Sequence, residues 1–230
     1  MGDQNHQHFQ SKSTLSFVKE NVLLFSGLVA WLLIGGITLL WFDKVDIHLY
    51  INKQHSAWAD VFFKYATHLG DGLFGSAVVL LLLLFRFKLA ISTLIAFAGS
   101  GLFTQVLKRQ IFDDHFRPSK FFADIADLHF VEGVALHSSY SFPSGHSTAS
   151  FSIFIVLALI SKNKLAQVIC IITAILSAFS RVYLSQHFFE DIYVGSIIGS
   201  LFAISFYLIF RNKSWGEEGL IHYLETKLKS

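Results

Sequence analysis

The sequence predicts an all-α, polytopic membrane protein, with six transmembrane helices in a bundle and short interfacial helices in the outer loops. Three observations lead there. Only 15% of the 230 residues are charged, where a soluble domain carries about a quarter. The deficit is concentrated in six runs that contain no Asp, Glu, Lys, Arg or His: residues 22–41, 73–85, 89–107, 147–160, 165–180 and 192–210. Basic residues fall in alternate connections between these runs, as they do in chains threaded through a bilayer.

A membrane-crossing helix needs about 20 apolar residues, with about 17 as the lower edge. Runs 22–41, 89–107 and 192–210 meet that length unaided. The first is too long for the core of a secretory signal, and Trp41-Phe42-Asp43-Lys44 follows it in place of a small-residue cleavage site. It is read as an uncleaved first helix. Runs 73–85 and 147–160 reach the length only if residues 70–72 and 143–146 join their helices, and run 165–180 needs Arg181 to about Leu184. Gly99-Ser100-Gly101 and the pair Gly195 and Gly199 offer small faces for close helix packing. Cys170, the only cysteine, lies in the fifth run, so no intramolecular disulfide is possible and the redox compartment is unreadable.

Lys12 and Lys19 precede the first span, Arg86 and Lys88 separate the second and third, Lys162 and Lys164 the fourth and fifth, and Arg211 and Lys213 follow the sixth. Short basic segments mark the cytoplasmic face. The expectation is a multi-pass cytoplasmic (inner) membrane protein with a cytoplasmic tail over residues 1–20, a membrane domain over 21–212 and a second cytoplasmic tail over 213–230. Residues 42–71, 108–143 and 182–190 then lie on the periplasmic or extracellular side. His6 and His8, near the start, are read as part of a mobile polar tail.

The connection 108–143 is long, and long loops are functional or disordered. Phe121, Phe122, Ile125, Leu128, Phe130 and Val131 are too apolar to be left in water. Their spacing suits a short amphipathic helix at the interface, and residues 58–69 read the same way. The stretch after Trp215 reads as a surface-lying amphipathic helix.

The outer helix ends carry the chemistry. The third ends in Lys108-Arg109, and its loop carries Arg117-Pro118. The fourth starts with Pro143-Ser144-Gly145-His146, the fifth ends in Ser180-Arg181, and His187 and Asp191 open the sixth. A lone cation at a helix end needs no role beyond anchoring to headgroups. Two histidines and a carboxylate at the same level are harder to explain that way. Proline in a first turn followed by Ser-Gly opens a helix whose free N–H groups and dipole suit a phosphate, and Gly145 lets an anion approach the main chain. Arg117 and Arg181 can grip phosphate oxygens bidentately, and a lysine adds a point charge. His187 and Asp191, spaced i,i+4, share one helical face. A carboxylate there holds one ring nitrogen and leaves the other as a nucleophile, while His146 remains to protonate a leaving group.

These stretches, "K-RQIFDDHF-RP", "PSGH" and "SRVYLSQHFFED", resemble the three-part signature of the type 2 phosphatidic acid phosphatase superfamily: Lys-x6-Arg-Pro, Pro-Ser-Gly-His and Ser-Arg-x5-His-x3-Asp. The second and third parts match in full. The first departs, since eight residues separate Lys108 from Arg117; either the loop bulges through Asp113-Asp114, or Arg109 takes the lysine's place. The resemblance implies a metal-independent phosphatase without cofactor. His187 would form a phosphohistidine, Asp191 would orient it, and His146 would protonate the departing oxygen. Lys108, Arg117, Ser144, Gly145 and Arg181 would hold the phosphate.

Other polar residues read blandly. His115, His129 and His137 are irregularly spaced and are taken as solvated loop histidines rather than a metal site. His68 and Asp71 look like a helix start with Asp71 as cap. Ser144 lacks the flanking glycines and strand context of a nucleophile elbow.

The expected function is hydrolysis of a lipid phosphate or diphosphate: undecaprenyl diphosphate, phosphatidylglycerol phosphate, phosphatidic acid or a phosphate of lipid A. The expected partners are that lipid and the bilayer, with no nucleic acid and no oligomeric state implied. The alternatives are a vanadium-dependent haloperoxidase, which the same signature includes, and a transporter or binder of phosphorylated lipid. Six membrane spans speak against the first. Charge-free runs speak against the second, since transport calls for ionisable groups near the midplane.

Overall fold

The computed structural model describes residues 14–161 and 163–229. The tail with His6, His8 and Lys12, and also Lys162, lie outside the described residues.

Among the described residues all regular structure is helical. A short α1 (Thr14–Glu20) leads into α2 (Val22–Trp41), which is followed by α3 (Lys44–Lys53), α4 (Ala57–Ala66), a 3₁₀ turn (Thr67–Gly70) and α5 (Gly72–Phe85). Then come α6 (Phe87–Gln110), the single turn α7 (Pro118–Phe121), α8 (Gly145–Ile160), α9 (Lys164–Tyr183), α10 (Phe189–Arg211) and α11 (Leu220–Lys229). Caps mark several boundaries: the Asp43 carboxylate accepts from Val45 N at 2.8 Å, and Asn163 accepts from the Leu165 and Ala166 amides.

Four helices, α2, α6, α9 and α10, are long and apolar enough to cross a membrane. A fifth crossing exists only if α4 with its 3₁₀ turn and α5 count as one span bent by 53°. Residues 70–72, expected to lengthen the second span, are where it breaks, because Asp71 is extended at φ −76°, ψ 151°. Likewise 143–146 do not all join the fourth. Ser144 is the N-cap and Pro143 precedes it, leaving α8 with 16 residues.

That short helix is the centre of the bundle. It packs against α10, α9 and α6, and Phe151, Ile155, Val156 and Ala158 on it are fully buried. Ala174, Ala178 and Val182 of α9 and Ile192 and Ala203 of α10 complete the core. Outward, Leu33, Ile34, Leu40, Trp41 and Leu102 are exposed, an apolar surface suited to lipid.

The small faces differ in use. A Cβ on Gly195 would sit 2.6 Å from the Ser144 carbonyl oxygen, and one on Gly199 would collide with the Thr148 carbonyl, so α10 lies directly on the α8 backbone. In α6, a Cβ on Gly99 would meet only the Phe202 ring, and one on Gly101 would meet nothing within 4 Å.

The expected amphipathic helix over 121–131 does not form. After α7 the chain turns and then continues without regular structure, because Phe122 and Val131 are buried against different partners: the His48 and Phe188 rings for Phe122, and Phe63, Tyr183 and Leu184 for Val131. The polypeptide before α11 is held on the bundle. Phe87 N donates to Glu218 O at 3.0 Å and Lys88 N to Gly216 O at 2.9 Å, and the buried Lys88 ammonium contacts the Glu217 carboxylate. One end of the bundle thus gathers Lys88, Arg211 and Lys213, with Lys19 and Lys164 lining a cavity that also reaches Arg211. The other end gathers the motif residues.

Gly195→Val is expected to lower stability by about 2 kcal/mol through overpacking, read as a fall in the thermal midpoint in detergent. Gly101→Val, whose Cβ points into open space, is expected to cost far less.

Candidate active site

The deepest part of the site is a histidine–carboxylate pair. His187 and Asp191 are each 1% exposed, with His187 Nδ1 3.1 Å from Asp191 Oδ2. They do not share a helical face, because α10 begins only at Phe189. His187 lies in the turn before it, and the Asp191 carboxylate reaches back over the helix start. Its Oδ2 also accepts from the Phe188 amide at 2.9 Å and from the Ser141 hydroxyl at 2.5 Å. One oxygen therefore ties together a loop, a turn and a helix. With Nδ1 held, Nε2 is left with its lone pair. Burial, and then the cations Arg117, Lys108 and Arg181, hold the His187 ring well below the ordinary histidine range, so the ring is neutral. His146 lines a cavity at the same end with Arg181 and Gln186, the residue before His187.

The turn that delivers His187 is built on Arg181, whose carbonyl accepts from both the Gln186 and His187 amides. Within it, Ser185 adopts φ +53°, an uncommon conformation for a residue with a Cβ. The Ser185 hydroxyl is fixed there by Asn52 Nδ2 at 3.3 Å and His48 Nε2 at 3.2 Å.

The three motif cations converge. Lys108 is buried and donates to the Tyr140 and Ser141 carbonyls at 2.8 and 3.4 Å. Its neighbour Arg109 is exposed. Asp113 and Asp114, both exposed, lie in a turn between Lys108 and Arg117. Arg117 donates to the Ser139 carbonyl at 3.0 Å and the Gln186 carbonyl at 3.2 Å. Arg181 donates to the Thr67 hydroxyl at 2.7 Å, while its Nε is buried without a partner. The Gln186 amide oxygen lies 3.5 Å from both guanidinium groups.

At the start of α8 the Ser144 hydroxyl accepts from the Ser147 amide at 3.3 Å, and its own amide donates to the Asp191 carbonyl at 2.9 Å. A Cβ on Gly145 would meet no atom within 4 Å. The glycine therefore keeps clear the approach to the helix N-terminus rather than a packing contact. His146 is about a third exposed, and its Nε2 lies 2.7 Å from Asp71 Oδ1. The other Asp71 oxygen is 2.7 Å from His68 Nδ1.

All eight residues singled out from the motifs lie at this end of the bundle. Four others belong with them. Asp71, read as a helix cap, makes no side-chain cap hydrogen bond and faces two imidazoles instead. His137 lines the cavities on both sides of the cations, and burial followed by Arg117, Arg181 and Lys108 lowers its pKa. Gln186 bridges the guanidiniums; its position next to His187 was its one visible signal. His48 is fully buried, stacked on Phe122 and edge-on to Phe188, and supports the Ser185 turn. Among the described residues, no three of His, Cys, Asp or Glu gather as a metal ion would need. His115 instead contacts Asp114, and His129 contacts Asp60.

The PAP2 superfamily model matches residues 89–215, more than half of the chain, and the chain belongs to that superfamily. Its relatives include a lipid A 4'-phosphatase of Bacteroides thetaiotaomicron, 26% identical over 166 residues, covering 70% of this chain and 74% of that protein. A phosphatidylglycerophosphatase B of Bacillus subtilis is 34% identical over 117 residues, covering 47% of this chain and 51%, about half, of that protein. Among solved structures, Aquifex aeolicus LpxE superposes with a TM-score of 0.62 at 25% identity, over 70% of this chain and 93% of that one. The PAP2-type phosphatidylglycerolphosphate phosphatase of Bacillus subtilis gives 0.60 at 25% identity, over 84% and 98%. His48 and Asp71 fall outside the matched segment.

Burial lowers the His48 pKa from 6.5 to about 4. Between those values the unfolded chain binds a proton that the folded protein refuses, so the stability contributed by the neutral ring is full above pH 6.5 and is lost as pH falls toward 4. The loss amounts to about 3 kcal/mol at most. Thermal unfolding in detergent is expected to show a steeper fall from pH 7 to 4.5 in the wild type than in His48→Phe, which keeps the stacking and cannot titrate.

Proposed function

We propose that the protein is an integral membrane phosphatase that hydrolyses a lipid phosphate or diphosphate through a phosphohistidine on His187. The observation that carries this reading is the buried, carboxylate-held His187 beside the buried Lys108 and Arg181 and the half-buried Arg117, the arrangement an anionic electrophile requires. Attack by Nε2 on phosphorus breaks the bond to the lipid oxygen, which takes a proton from His146. Water then attacks the phosphohistidine, His146 takes a proton from it, and His187 leaves with its lone pair restored. Asp191 holds Nδ1–H throughout. Lys108, Arg117, Arg181 and the α8 N-terminus at Ser144 and Gly145 stabilise the charge on the transferring group, and the unpartnered Nε of Arg181 is a donor available to it. The protein's own groups supply nucleophile, acid and positive charge, so no metal is assigned a part.

Support for a lipid substrate comes from relatives named as lipid phosphatases and from the apolar flanks of the bundle. Lipid A phosphate and phosphatidylglycerol phosphate head the candidates on those names, ahead of undecaprenyl diphosphate and phosphatidic acid. We place six crossings in α2, the α4–α5 bent pair, α6, α8, α9 and α10, within residues 21–212. The basic end lies in the cytoplasm and the site on the outer face of a cytoplasmic membrane. At 16 residues α8 is about 24 Å long, short of a hydrocarbon core of about 30 Å, which sets the site below the headgroup level where a lipid's phosphate is found.

Phosphate release from these lipids in detergent is expected to be unchanged by EDTA. It should fall to background in His187→Ala and drop about 10²–10⁴-fold in His146→Ala. Residual turnover by His187→Ala would remove the nucleophile assigned here.

A further inference from the structure

We propose that Asp71 is a positioning residue for His146, fixing which ring nitrogen meets the leaving group. The inference rests on the reading of His146 as the acid in the reaction above. Asp71 belongs to none of the motifs that signal this site and lies outside the segment matched to the superfamily.

The backbone explains how it arrives. The 3₁₀ turn Thr67–Gly70 ends in close contact with α8: a Cβ on Gly70 would stand 2.8 Å from the His146 carbonyl oxygen and 2.8 Å from Ser150 Oγ. Only glycine permits that approach, and it delivers the next residue, Asp71, to the His146 ring. The same turn sends the Thr67 hydroxyl to Arg181 at 2.7 Å. One short segment thus touches both the acid and a phosphate-binding cation, and Thr67, His68, Asp71, His146 and Arg181 line a common cavity of about 220 Å³.

Asp71 sits where a helix cap would, and a capping aspartate accepts from the amides of the first turn. This one does not. Its two oxygens are 2.7 Å from His146 Nε2 and 2.7 Å from His68 Nδ1, so His68 fixes the carboxylate plane and the carboxylate fixes the His146 ring. Protonated His146 then presents Nε2–H to Asp71 and Nδ1–H to the substrate. As the His187–phosphorus bond forms and the bond to the lipid oxygen breaks, the Nδ1 proton passes to that oxygen. The neutral ring keeps its proton on Nε2, and the Nδ1 lone pair faces the water that attacks in the second half. One tautomer serves both steps. Without Asp71, the neutral ring divides between tautomers and is free to turn.

The test is leaving-group dependence, measured in detergent with dodecyl phosphate and with 4-dodecylphenyl phosphate, whose phenol has a pKa near 10 and needs a donated proton far less than an alcohol does. Asp71→Asn is expected to lower kcat on the alkyl phosphate about 10²-fold with KM little changed, while its loss on the aryl phosphate is markedly smaller. His146→Ala shows the same pattern more strongly, and Asp71→Glu recovers part of the loss. Equal losses on both substrates in Asp71→Asn, or in Asp71→Glu should Asp71→Asn fail to fold, would reduce Asp71 to a structural role. A His146→Ala variant sensitive to the leaving group beside an Asp71→Asn variant that is unaffected would overturn the positioning role alone. A His146→Ala variant insensitive to the leaving group would overturn the acid assignment and this inference with it.

Discussion

Three cations share one end of this bundle, and among the described residues none of Lys108, Arg117 and Arg181 has a carboxylate within 4 Å. Their partners are neutral: the carbonyls of Ser139, Tyr140, Ser141 and Gln186 and the hydroxyl of Thr67. Like charges in a poorly solvated place repel, and carbonyl dipoles offset this without cancelling the charge. The two nearby carboxylates are already committed, Asp191 to His187 and Asp71 to His146 and His68. The result is a preorganised positive cradle whose natural complement is an anion. Much of the rest of the structure exists to hold it: the loop from Ser138 to Ser141 supplies carbonyls, the Arg181–His187 turn supplies a second arm, and the α8–α10 contact at Gly195 fixes the floor.

The same constraint explains why so much of the site was legible in the sequence. Cations, histidines and carboxylates at the ends of apolar runs have few bland explanations, so eight residues could be named before any coordinates. A close helix contact at Gly195 and Gly199 was readable too, since the two are one turn apart on one face, though not that its partner is α8. At the departure in the first motif, Lys108 is buried while Arg109 is exposed, and Asp113 and Asp114 lie in a turn.

What the sequence hid was long-range. Asp71 read as a cap because local rules favour that role for aspartate before a helix, and only the Gly70 contact with α8, 76 positions along the chain from Gly70 to His146, reveals its other use. His48 carried no signal in the sequence; its burial depends on Phe122 and Phe188, brought from two distant segments. The amphipathic pattern of 121–131 failed for a related reason, as its apolar residues pack against separate neighbours instead of sharing one face. Span lengths were overread where a polar residue could begin a helix of its own, at Asp71 and at Ser144.

The two site histidines carry the same side chain in opposite surroundings, and that contrast does the assigning. His187 is almost wholly enclosed, beside positive charge, with its carboxylate partner saturated by an amide and a hydroxyl. Everything there favours an uncharged ring with one free lone pair, the requirement for a nucleophile. His146 is about a third exposed at the mouth of a cavity, against a carboxylate shared with a second imidazole. The Asp71 carboxylate holds Nε2, and access to the cavity lets the other ring nitrogen meet a departing oxygen. Different partners and different access, given to two identical groups, are how one fold sets acid and nucleophile side by side. Exchanging the surroundings would exchange the roles, so under the proposed reaction the division of labour belongs to Asp191 and Asp71 as much as to the histidines.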